Sequence, residues 1–281
     1  MAVTARRPGL TDRTPAPLLF VFGAVSQYAG AAVAVLLFTS VPAAGVAWLR
    51  VVAAAVVLAV WRRPWRILAA WRLVVAFGVV LACMNLAFYL AIERLPLGTA
   101  VAIEFLGPIA VAAAGTRTLR DGGAFLLAAS GVALIADVQW QVSPLGVIYA
   151  LTAAGLWAIY ILLGSRVART GTGIDGLAAG MVAGALVLAP FTAGPALPAL
   201  TRPALLAACL AVGVLSSVVP YVLDQFVLAR TGPGRFALLL SLLPATAAVV
   251  GAVVLAQVPS PAEAAGIGLV VAAVAARSPS G

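Results

Sequence analysis

Apolar residues in this chain fall in long blocks, separated by short stretches rich in Pro, Gly and Arg. Leu18 to Phe38 is a 21-residue block without a charge. At ~1.5 Å per helical residue it is long enough to cross a hydrocarbon layer of ~30 Å. The blocks lack the strict alternation of a membrane β-barrel strand, so the predicted element is the transmembrane α-helix. Reading between punctuation predicts ten spans, near 18–38, 43–61, 73–92, 97–115, 122–137, 144–164, 174–193, 204–229, 234–256 and 262–276. The fifth and tenth are short for a full crossing. The fold class expected is an all-α membrane protein.

Composition removes the soluble alternative. Of 281 residues, 64% are hydrophobic and only 9% charged, and the mean hydropathy is +1.16. A water-soluble domain of this size carries roughly 25% charged residues. The net charge of +9 is no nucleic-acid signal, because the arginines are scattered between apolar blocks rather than gathered on one segment. Lysine and histidine are absent. Cys83 and Cys209 both fall inside spans, without disulfide or metal-ligand spacing, so no metal or cofactor is expected. The Arg6-Arg7 pair lacks the rest of a twin-arginine signal, and no soluble domain follows the first block, which reads as a retained helix.

Charge placement tests the span count. Arg6, Arg7, Arg13, Arg62, Arg63, Arg66, Arg72, Arg117, Arg120, Arg166, Arg169, Arg230, Arg235 and Arg277 fall on one side of a ten-span arrangement. Only Arg94 and Arg202 fall on the other, in short connections that otherwise hold Glu93, Asp137 and Glu263. Arginine in short loops stays cytoplasmic, so residues 1–17 form a cytoplasmic tail and both termini are inside.

The two halves superpose at a constant offset of 136 residues: Arg94 meets Arg230, Gly98 Gly234, Leu106 Leu242, Pro108 Pro244, Ala112 Ala248, Gly115 Gly251 and Leu119 Leu255. The Ala and Leu matches are cheap in this composition, whereas Arg, Pro and two Gly at one offset are not. Five spans per half is an odd number, so the second half enters from the opposite face. The expectation is two inverted five-helix repeats, 18–137 and 144–277, with a midplane site exposed alternately to either side. Pro108, Pro220 and Pro244 sit inside spans, where each removes a backbone hydrogen bond; they are candidate hinges lining a cavity, or ordinary kinks in a packed bundle.

Charges in the hydrocarbon cost about 2.5–3.5 kcal/mol each on insertion scales and usually have a partner or a task. Glu104 lies ~12 Å past Pro96 along its helix and Arg50 ~10 Å past Ala43, both measured from the outer face, so they share a depth. They either face one cavity, as a pair or around a zwitterionic ligand, or form a structural salt bridge with Arg50 free to snorkel outward. Asp224 lies nearer the cytoplasmic end and shares a face with Ser217 and Pro220 or Tyr221; it is a candidate gate residue, or a solvated helix end bonded to Arg230. With no His or Lys, protons as a coupling ion would have to use a carboxylate, and Glu104 is best placed. Gln27 and Tyr28 with Ser26, Asn85 and Tyr89, and Trp157 and Tyr160 cluster near mid-span and describe a cavity for a small polar solute. Trp61, Trp65, Trp71 and Trp140 read as interfacial belts. A membrane-embedded enzyme would need a convergent set of His, Cys and acidic groups, a scaffold would not explain buried Glu104 and Arg50, and a channel would need a charged ring or filter.

MNLAFYLAIERLPLGTAVAIEFLGP (Met84 to Pro108), LWAIYILLGSR (Leu156 to Arg166) and LSSVVPYVLDQFVLAR with the following LLLSLLPA (Leu215 to Ala245) resemble the drug/metabolite transporter superfamily, in its branch with two EamA domains that includes amino-acid exporters. The resemblance implies ten helices in two inverted EamA-like repeats, a bacterial inner-membrane location and export of amino acids or related small polar metabolites. Glu104 and Asn85 match positions of the exporter pattern, and Asp224 stands where an acidic residue is usual. Leu243 replaces a common Glu before Pro244, Ala256-Gln257 replaces a common Gly-Glu, and Val35 replaces a basic residue.

Overall fold

The computed structural model describes residues 15–62, 71–116, 119–170 and 173–277. The tail 1–17, except its last three residues, lies outside them, as do Arg63, Trp65, Arg66 and Arg117. Among the described residues all regular structure is helical. Six helices are long and apolar enough to cross a membrane: Ala16–Leu37, Ala43–Arg62, Trp71–Ile92, Pro144–Val167, Ile174–Leu200 and Pro203–Asp224. Shorter apolar helices cover Leu97–Val111, Gly122–Ile135, Leu242–Leu255 and Pro261–Ala276. The chain is a multi-pass membrane protein.

In chain order the helices are α1 (Ala16–Leu37), α2 (Ala43–Arg62), α3 (Trp71–Ile92), α4 (Leu97–Glu104), α5 (Leu106–Thr116), α6 (Leu119–Trp140), α7 (Pro144–Arg169), α8 (Gly173–Leu200), α9 (Pro203–Gly213), α10 (Val219–Leu240), α11 (Leu242–Leu255) and α12 (Pro261–Arg277). Pro144, Pro203 and Pro261 each open a helix. Proline suits a first helical position, because its missing N–H is unpaired there anyway.

Two spans are broken in the middle, and prolines account for both. The fourth span divides at Phe105 into α4 and α5, three residues before Pro108. The second division, between α10 and α11, falls at Ser241, three residues before Pro244. Each proline denies a hydrogen bond to the carbonyl four residues earlier and crowds it. The sequence places a break at 230–233; instead the helical run continues through it from Val219 to Leu240, and the Pro244 break supersedes it. A third proline, Pro220, follows a single π-helical turn, Val214–Val218, joining α9 to α10. α8 also runs past its predicted end at 193 to Leu200, with Pro190, Pro195 and Pro198 inside it.

Close crossings use small residues, as membrane helices require when dispersion rather than dehydration drives packing. The backbones of α3 and α8 touch at Gly78 and Gly180, where a Cβ on Gly78 would collide with the Gly180 carbonyl. α1 approaches the π-helical turn at Gly30, where a Cβ would come 2.9 Å from that of Ser216. α2 packs on α8, α6 on α12, α3 on α7, and α1 on α10 and α11. Trp61, Trp71 and Trp140 are exposed at helix ends, and Arg62 and Arg72 lie over the rings of Trp61 and Trp71.

Candidate functional site

The helices enclose a cavity of about 300 Å³. Gln27 and Tyr28 enter its wall from α1, Arg50 from α2, Asn85 from α3 and Glu104 with Pro108 from the broken fourth span. Trp157 and Tyr160 come from α7, and Tyr221 and Asp224 from α10. Ten of the residues singled out in the sequence therefore converge on one space. Arg50 lies seven residues from the start of α2 and Tyr160 sixteen from the start of α7. At ~1.5 Å per residue they lie ~10 and ~24 Å along their helices.

Tyr89, Pro220 and Pro244 do not reach the wall. Tyr89 is fully buried beside it, packed edge-on against Phe38 and Phe88, and its hydroxyl has no hydrogen-bond partner. Its role is to carry Arg50, whose guanidinium carbon sits 5.1 Å from the ring centroid. Pro220 lies four residues after Ser216, a wall residue. Pro244 places a neighbour, Leu243, in the wall.

Arg50 is 5% exposed and turned inward, so it does not snorkel. Its Nε donates to Ser217 Oγ at 2.8 Å and its NH2 to the Ser216 carbonyl at 2.8 Å. Glu104 is 7% exposed and shares the cavity, but no direct hydrogen bond or ion pair joins the two. The opposite charges bracket a space instead. Around them, Ser26 Oγ donates to the Leu215 carbonyl at 2.8 Å, tying α1 to the π-helical turn, and Asn85 Nδ2 donates to the Leu81 carbonyl at 2.8 Å within its own helix. Trp157 stands edge-on to Phe105, the break residue, and Tyr160 stacks on Phe77.

Sequence reasoning missed Ser216 as a wall residue, together with the apolar lining that includes Phe236, Leu240 and Leu243. The spacing from Ser216 to Pro220 was the available signal. Leu243, where the resemblance implies a carboxylate, makes this part of the wall apolar.

Beyond the cavity, at the ends of α4, α6 and α12, a polar knot closes the bundle. Glu263 Oε1 accepts from Thr99 Oγ1 at 2.9 Å and from Gln139 Nε2 at 2.7 Å, and Oε2 accepts from the Ser260 N–H at 2.9 Å. Ser260 Oγ accepts in return from the Glu263 N–H at 3.3 Å, a capping box. Gln257 Oε1 accepts from the Leu97 N–H at 2.9 Å and caps α4.

The profile of the EamA-like transporter family matches residues 144–277. The threonine/homoserine exporter RhtA of Escherichia coli (strain K12) is 36% identical over 275 residues, covering 95% of this chain and 93% of the relative. That of Salmonella typhimurium (strain LT2) is 38% identical over 259 residues, covering 89% and 88%. A crystal structure of another protein shares the fold at a TM-score of 0.57 and 18% identity, over 92% of this chain and 95% of that one. With relatives this similar along nearly its whole length, the chain belongs to the EamA-like transporter family and is a transporter, not an enzyme.

Proposed function

We propose that the chain is a secondary transporter that exports amino acids of the threonine and homoserine type by alternating access. The bacterial inner membrane, with both termini cytoplasmic, is its place in this reading. The observation that carries it is the pair of unjoined opposite charges, Arg50 and Glu104, in the wall of one cavity. An amino acid presents a carboxylate and an ammonium at fixed separation, and it answers both buried charges at once. The names of the relatives support the solute class.

Two inverted repeats, 18–137 and 144–277, supply the motion in this reading. The helix contacts support it: α3 on α7 has its counterpart in α10 on α1, α3 on α8 in α9 on α2, and α5 on α7 in α11 on α1. The helix breaks at Phe105 and Ser241 are themselves separated by the 136-residue offset. Protons are the candidate coupling ion, with Glu104 as carrier; an imposed pH gradient that fails to drive threonine flux in liposomes removes that part.

The test is export from cells. Overexpression is expected to raise tolerance to toxic analogues of threonine and homoserine, and Glu104→Gln, at equal membrane abundance, to abolish the gain. Unchanged sensitivity across the panel overturns the reading.

A further inference from the structure

Arginine has five N–H donors in a planar fork. In Arg50 the edge formed by Nε and NH2 is taken, by Ser217 Oγ and the Ser216 carbonyl, each at 2.8 Å. Pro220, which has no N–H, interrupts the helix's own pairing just past the π-helical turn, and the Ser216 carbonyl accepts from outside the helix. The π-helical turn at Val214–Val218 widens the helix at the same place, and Tyr89 covers one face of the guanidinium. The other edge, NH1 with the second NH2 proton, has no hydrogen bond among the described residues, and Arg50 is a wall residue of the cavity. Such an edge matches a carboxylate through two parallel bonds, but only if the fork is held in one orientation.

We propose that Ser217, with the Ser216 carbonyl, is the positioning pair that aims the open edge of Arg50 at the solute carboxylate; this rests on the transport reading above. Ser217 is 2% exposed and touches no solute itself. It acts through Arg50. Without its hydroxyl the guanidinium keeps one anchor and can rotate about it, so carboxylate binding weakens while the remainder of the cycle is untouched.

The experiment is exchange of radiolabelled L-threonine by the purified protein in threonine-loaded liposomes, with L-threoninamide, which lacks the carboxylate, as competitor. Ser217→Ala is expected to raise the half-saturating threonine concentration roughly five- to tenfold at an unchanged maximal rate. Ser217→Thr, which keeps a hydroxyl, restores it, and inhibition by threoninamide is the same in all three proteins. Wild-type half-saturation in Ser217→Ala overturns the positioning role. Equal weakening of threonine and threoninamide also overturns it, since that pattern marks a general loss of packing. Both of those results leave the transport reading standing; a wild-type protein that does not exchange threonine overturns the two together.

Discussion

Tyr89 shows how a polar residue at mid-depth can belong to the wall's support rather than to the wall. Its ring backs Arg50 and its hydroxyl is buried without a partner, which carries a desolvation penalty of about 1–3 kcal/mol. Tyr89→Phe keeps the ring and removes the orphan, so threonine exchange is expected to stay near wild type while the thermal unfolding midpoint in detergent rises. Loss of exchange in that variant would return the hydroxyl to the site. Spacing alone could not separate Tyr89 from Tyr28, because both sit near mid-span beside other polar groups, and the side of a helix that meets a cavity depends on its neighbours. Arg50 and Glu104 were legible because charge at that depth needs a reason. The partners of Arg50 were not, since a backbone carbonyl leaves no mark in composition.

Helices ended and broke largely where prolines dictate. The breaks at Phe105 and Ser241 follow from Pro108 and Pro244, whereas the predicted interruption at 230–233 was read from Gly and Pro that the helical run of α10 accommodates. The end of α11 carries a different signature. Ala256 adopts a left-handed conformation, with φ at 55° and ψ at 27°, and its N–H bonds the Gly251 carbonyl. Glycine takes this conformation without the Cβ penalty. Ala256→Gly is therefore expected to stabilise the protein, by about 0.5–1 kcal/mol, as a higher unfolding midpoint with threonine exchange unchanged. A lower midpoint would mean that the alanine methyl makes a contact outweighing the strain. The neighbouring Gln257 caps α4 at the Leu97 N–H through its side-chain oxygen.

Across the whole molecule, the α3–α8 crossing at Gly78 and Gly180 binds the halves, and the knot at Glu263 draws α4, α6 and α12 together beyond the cavity. Periodicity and charge placement made the ten apolar segments legible. They could not disclose the knot, which depends on three residues 124 and 164 positions apart in sequence meeting at one carboxylate. The fastening of Arg50 has a consequence at this scale. Its anchors belong to the chain, so in an unladen carrier the guanidinium, though unjoined to Glu104, keeps two hydrogen bonds, and the carrier can make its homeward stroke without a passenger. Discharge from loaded vesicles into solute-free buffer is accordingly expected to run at a rate comparable to exchange, and discharge that stalls until threonine is added outside would mark an obligate swapper.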